Sequence, residues 1–253
     1  MSASTPTAPR RTPASAAVAD PPGPPPVRAA GWTSIAQGLL LFVPLGVLGA
    51  AIDWPASLDR PAAEILPSIA QHEGAVRVGY LAYLVYSVLF GVTLVLLARL
   101  VEGRLPAGAR RLLVGLAIAS VIARSIGIVR WLAPMPVLAD AWGTAGDEAE
   151  RRSIAHVYDA VNAWGGTIGE ALGVGLFAAG ALGILAAGLL RERRVPRWLA
   201  VWSAVAAAAV LLNTAELAGG DLGPVLTVSV TVVQLWFLAA GAWLLTRGRR
   251  LTS

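Results

Sequence analysis

TIGEALGVGLFAAGALGILAAGLL, residues 167–190, decides the fold. From Ala171 to Leu190 it carries no charged residue. The hydrocarbon core of a bilayer is about 30 Å thick, and a helix rising about 1.5 Å per residue crosses it in about 20 residues. This stretch has the length and composition of one crossing. A helix of a soluble bundle shows charge on one face at nearly every turn, which Leu172–Leu190 does not.

Five more stretches of the same kind lie on either side: Trp32–Ile52, Val78–Val101, Leu112–Leu132, Trp198–Ala218 and Val225–Thr246. In lipid every backbone N–H and C=O must find a partner inside the protein, so a span is a helix or part of a closed barrel. The Ala, Leu, Gly and Val runs lack the alternation of barrel strands. The expectation is an all-α, polytopic bundle of six transmembrane helices. Composition agrees, with 56% hydrophobic and 14% charged residues.

Cysteine is absent, which excludes disulfides, thiolate nucleophiles and Cys-ligated metals. All twenty basic residues are Arg. In a soluble protein such basicity would suggest nucleic acid. Here the arginines cluster at span ends and read as topology signals, so no nucleic-acid partner is expected. Fourteen flank one side: Arg10, Arg11, Arg28, Arg99, Arg104, Arg110, Arg111, Arg191, Arg193, Arg194, Arg197, Arg247, Arg249 and Arg250. Only Arg60, Arg77, Arg151 and Arg152 fall on the other. Arginine favours the cytoplasmic side of short loops, so both termini are expected in the cytoplasm. The opposite face then carries two long loops, about 53–77 and 133–166. Trp54, Trp131, Trp142 and Trp164 fit an aromatic belt there, and Trp32, Trp198, Trp202 and Trp243 an inner one.

Residues 1–30 are rich in Pro, Ala, Ser and Thr, end in a proline run, and read as a disordered cytoplasmic tail. The transmembrane domain covers 31–246, and 247–253 form a basic C-terminus. In the second long loop, Ile154, Val157, Tyr158 and Val161 recur at i, i+3, i+4 and i+7, so Glu148–Trp164 is an amphipathic helix expected to lie in the interface. Gly165-Gly166 argues for a break after it, the alternative being one helix continuous with span four. Pro44 is expected to kink span one.

A charge at mid-bilayer costs roughly 2.5–3.5 kcal/mol on insertion scales, so each one needs a reason. Arg124 and Arg130 lie in span three, Glu170 in span four and Glu216 in span five, with Asn213 one turn before it. Counted from the arginine-rich ends, Arg124 and Asn213 sit about 20 Å up and the others somewhat higher, at matching heights. Two readings stand. In one, these five residues form an ion-pair network that fixes helix register. In the other they line a pocket opening outward, where the arginines bind a small anion or a lipid headgroup. Arg124, the deepest, is expected to pair with Glu216, Glu170 or the Asn213 amide. Thr167 and Glu170 also have capping-box spacing.

Gly165, Gly169 and Gly173 follow GxxxGxxxG spacing, which lets helix backbones approach closely. The alanine-rich stretch Ala204 to Ala209 of span five is the expected partner, and a homodimer through the glycines is the competing one. Tyr80, Tyr83 and Tyr86 recur at i, i+3 and i+6 and read as belt anchors in preference to a ligand-stacking stripe. Gln234 reads as a helix–helix hydrogen bond in span six.

Catalytic and cofactor motifs are missing. The two histidines, His72 and His156, lie in loops, which argues against bound haem. With no Lys there is no Walker motif, and neither HExxH nor GxSxG occurs. No cofactor, metal or catalytic residue is expected. The partners expected are the bilayer and a small anionic or lipid ligand.

Several short motifs occur in a fixed order: Val76-Arg77-Val78-Gly79-Tyr80, Leu97-Ala98-Arg99-Leu100, Ala123-Arg124-Ser125-Ile126 and Val195-Pro196-Arg197-Trp198-Leu199. With them, residues 31–246 resemble a bacterial six-helix membrane family classed as a domain of unknown function, number four-three-eight-six. The resemblance implies a multi-pass protein of the bacterial inner membrane without an assigned activity. It implies no catalytic residues.

Overall fold

The computed structural model describes residues 26–218 and 224–248. The described residues contain six helical runs long and apolar enough to cross a membrane: Val27–Ile52, Glu73–Leu100, Ala107–Thr144, Glu148–Arg191, Arg197–Ala215 and Val228–Arg247. The protein is an integral membrane protein, and its lipid-facing surface follows from sequence. Val78, Leu81, Val85, Val88 and Val92 repeat every three to four residues down one helix and are all exposed. In water such a stripe would be costly; in a bilayer it is the solvent-facing side.

The first span breaks into α1 (Val27–Leu40) and α2 (Phe42–Ile52). Pro44 is the cause: it has no N–H for the carbonyl of Leu40, and its ring displaces that carbonyl. Helix α1 starts at Val27, four residues before the boundary read from sequence. A 3₁₀ turn (Ala56–Asp59) and α3 (Ala62–Gln71) lead to α4 (Glu73–Leu100). Then come α5 (Ala107–Leu132), α6 (Pro134–Thr144) and α7 (Glu148–Gly166). Beyond α7 the chain stays helical through a π-helical stretch (Thr167–Phe177) into α8 (Ala178–Arg191). Helix α9 (Arg197–Leu211) tightens into a 3₁₀ stretch (Leu212–Ala218), and α10 (Pro224–Arg247) completes the bundle.

The spans close into a ring in chain order. Helix α1 packs on α4, α4 on α5, α5 on the π-helical stretch and α8, α8 on α9, α9 on α10, and α10 back on α1. A Cβ added at Gly248 would meet Val27, so the two described ends lie together. Helices α3, α6 and α7 pack on one another and cap the other end. Two apolar cores match this division. Phe90, Leu94, Leu182, Leu185, Trp236 and Phe237 belong to the first, inside the ring. Leu48, Ile65, Leu66, Ile69, Tyr80, Trp131, Met135 and Tyr158 belong to the second, which ties the cap to the spans.

Four expectations change. Glu148–Gly166 is amphipathic, but its apolar face meets the cap: Ile154 and Tyr158 are buried while Val157 is exposed. No capping box forms at Thr167, because the backbone there is already helical and the Thr167 N–H bonds Ala163 and Trp164 carbonyls of the preceding turn. Trp131 is 1% exposed and stacks on Tyr80, so it is a core residue and no belt anchor. The glycine stripe packs on α5, with no close approach to the alanines of α9. A Cβ at Gly169 would sit 2.9 Å from the Gly127 Cα, and one at Gly173 would sit 2.9 Å from the Arg124 nitrogen. The stripe is used for packing inside the chain.

At the end that holds Val27 and Gly248, Glu192 joins two loops. It accepts from Arg104 Nε at 2.8 Å and from the Arg194 N–H at 3.1 Å. Burial pushes its carboxyl up, but these hydrogen bonds and the charges of Arg104 and Arg194 outweigh it and hold the group below its ordinary value.

Candidate functional site

In the capped half of the ring, α5 and the π-helical stretch touch through glycines. Gly127 and Gly169 face each other so closely that neither backbone leaves room for a side chain. That approach sets where the flanking arginines go. Arg130 lies one turn after Gly127, and its Cδ passes over Gly165. Arg124 lies one turn before it, with its Cγ against Gly173. Both side chains then run toward the ring axis instead of toward lipid, and both are buried.

There they meet a cavity of about 130 Å³. Its walls include Leu41 and Leu45, Tyr80, Tyr83 and Tyr86 of α4, Arg124, Ile128, Arg130 and Trp131 of α5, Glu170 and Val174, and Val230, Val233 and Gln234 of α10. Trp54, Pro55 and Leu58 form its cover. Helix α7 pins that cover, since the Tyr158 hydroxyl donates to the Arg60 carbonyl at 3.1 Å and Asn162 Nδ2 to the Leu58 carbonyl at 2.8 Å.

The two arginines have different surroundings. Arg130 Nη2 donates to Glu170 Oε1 at 3.0 Å, and its guanidinium lies 5.5 Å from the Trp131 ring centre. Arg124 has no carboxylate partner among the described residues. Its guanidinium lies 4.2 Å from the Phe90 ring centre, a cation–π contact that recovers part of the cost of burial. Two of the three partners expected from sequence are engaged elsewhere, Glu170 by Arg130 and Asn213 by Ser229. Asn213 is fully buried, accepts from Ser229 Oγ at 3.2 Å, and does not line the cavity. The Glu216 side chain lies outside the described residues.

Several polar atoms of the wall are buried without a partner: Arg124 Nε, Arg130 Nε and Nη1, the Tyr80 hydroxyl and Gln234 Oε1. An unused buried donor costs about 1–3 kcal/mol, more when charged. Five such atoms surround one cavity, and three of them are N–H donors on the two arginines. The sequence model of the family described as "Domain of unknown function (DUF4386)" matches residues 35–248. The chain belongs to this family. No curated protein and no solved structure matches it significantly.

Sequence reasoning brings Arg124, Arg130 and Glu170 of this DUF4386 chain to one site. It reads the tyrosines as belt anchors and Gln234 as a helix–helix hydrogen bond, and leaves them out of the site. Gln234 does make the expected interhelical hydrogen bond, donating from Nε2 to the Tyr86 hydroxyl. It also lines the cavity. Tyr83 meets Trp54 edge-on and stacks on Tyr86, joining the cover to the wall. Their i, i+3, i+6 spacing is the signal that could have found them: it puts the three rings on one face of α4, opposite the exposed Val85 and Val88.

Proposed function

We propose that this protein binds a small anionic amphiphile, with the anionic group held between Arg124 and Arg130. One observation carries the reading. Two buried guanidiniums share one cavity with a single described carboxylate, which Arg130 already pairs, and N–H groups of both are unused. A planar or tetrahedral oxyanion supplies the missing charge and accepts several charge-assisted hydrogen bonds at once. The rest of the wall is apolar or aromatic, which suits a ligand with an alkyl part. By the arginine distribution, the capped end faces away from the cytoplasm in a bacterial inner membrane.

Thermal unfolding in a neutral detergent tests the reading. Decanoate or decyl phosphate at about 100 times its Kd should add about 2.7 kcal/mol, or roughly 5–10 °C in Tm. Decanol should not, and Arg124→Gln should lose the response. Equal stabilisation by decanol, or an unchanged response in Arg124→Gln, contradicts anion binding.

A structural role is the second reading, and one observation favours it. Arg130 is 3% exposed at its side chain, is cradled by Gly165 and Gly166, and is already paired with Glu170. On that reading the pair locks α5 to the π-helical stretch, and the ligand response is nil for every amphiphile.

A further inference from the structure

Resting on the anion-binding reading above, we infer that the ligand is a single-chain amphiphile taken from the bilayer, and that it enters sideways through a gap between α2 and the cap-side half of α10. The break at Leu41 opens this gap. Below it, α1 and α10 are in close contact: a Cβ at Gly241 would sit 2.8 Å from the Gly31 carbonyl oxygen, and one at Gly38 would sit 2.6 Å from the Leu238 side chain. Beyond the break the chain leaves α10. Helix α2 packs on α3 and α4, with Leu48 seated where Gly79 leaves room, and makes no packed interface with α10 among the described residues.

The two sides of this gap are apolar and reach the cavity. Leu41 and Leu45 form one side, and Val230 and Val233 the other, and all four line the same space as the arginines. Leu45 is 40% exposed, so the wall is continuous with the lipid-facing surface. Size points the same way. A cavity of about 130 Å³ compares with the roughly 150 Å³ engineered cavity that holds one benzene. It takes a headgroup and a few carbons. The remainder of an alkyl chain has to lie along an apolar exit, and the gap between α2 and α10 is such an exit. A soluble anion would use the arginines without needing it. Carboxylate and phosphate monoester heads present the same chemistry to the arginines, and the probes below separate them.

The test uses the full chain in neutral detergent, with affinity read from the ligand dependence of Tm. The probes are decanoate and decyl phosphate, which share a tail, and butyrate and inorganic phosphate, which keep little or none of it. In the parent, the long probes should bind at least tenfold more tightly than their short counterparts, since each buried CH₂ contributes about 0.8 kcal/mol. The tighter of the two long probes identifies the head. Leu45→Trp, which fills the gap, should weaken the long probes about tenfold or more and leave the short ones within about twofold. Val230→Trp makes the same comparison from the opposite wall should Leu45→Trp fail to fold. Long probes that bind both variants as they bind the parent overturn the lateral gap while leaving the headgroup site standing. Short and long probes that bind equally well in the parent overturn the amphiphile and favour a soluble anion. Arg124→Gln binding every probe as the parent does removes the headgroup site itself, and the two failures are thereby distinct.

Discussion

Replacing Gly127 with Ala should destabilise the bundle, and the structure gives the size. The new Cβ would lie 2.8 Å from the Gly169 Cα and 3.0 Å from the Gly165 carbonyl oxygen, both backbone atoms that cannot swing aside. The helices would have to part by several tenths of an ångström, and overpacking of this kind costs about 1–3 kcal/mol. Ala gains about 1 kcal/mol of helix propensity over Gly, so the net loss is about 0–2 kcal/mol, and about 1–3 kcal/mol against a variant that has the propensity gain alone. Gly115 supplies the control. It lies on the same helix, and a Cβ there meets nothing within 4 Å, so Gly115→Ala keeps the propensity gain alone. At about 2–4 °C per kcal/mol for a chain of this size, thermal unfolding should put Gly127→Ala about 0–8 °C below the parent, Gly115→Ala at or above it, and the two variants about 2–12 °C apart. Equal Tm values for the two variants would refute the glycine contact. The positions of Arg124 and Arg130 would go with it, because that contact aims both side chains at the ring axis.

Arg130→Ala should cost about 3 kcal/mol by leaving Glu170 without its partner, and the double variant with Glu170→Gln should recover part of the loss. A double-mutant cycle on unfolding free energy checks this; strict additivity goes against the pair. Glu192 predicts a pH effect. Its carboxyl is held low in the folded protein, so its contribution is complete above the ordinary glutamate value of about 4.5 and is lost as pH falls below that through the folded value. Glu192→Gln should therefore flatten the acid limb of the stability profile relative to the parent, whereas an identical limb in both denies the Arg104–Glu192 link. A reporter fused after Ser253 should behave as cytoplasmic and one inserted near Gly146 as external, as measured by an activity restricted to one compartment; the reverse pattern inverts the orientation.

The spans were legible because a bilayer demands one length and one kind of side chain, and a run such as Ala171–Leu190 meets both. Pro44 announced the break in the first span, since a missing N–H acts locally. The partner of the glycine stripe was not legible. Gly127 decides it, and the glycines of α5, at 108, 115 and 127, form no GxxxG repeat to set against the alanines of α9. Trp131 and the tyrosines were misplaced for a related reason. Amphipathic rings near a span end suit a headgroup belt and a cavity wall equally, and only the facing helix separates the two. The spacing of Thr167 and Glu170 suggested a cap, but the helix arriving from α7 already supplies the carbonyls that bond the Thr167 N–H. Glu170 was free for Arg130, and Arg124 was left to the ring of Phe90.

An experimental density map of the protein, purified gently enough to keep its lipids, tests the central claim most directly. The account predicts density for an oxyanion between Arg124 and Arg130, at about 2.7–2.9 Å from their nitrogens, with a tail leaving past Leu45 and Val230. A cavity closed by side chains, with a carboxylate of the protein seated on Arg124, would contradict it.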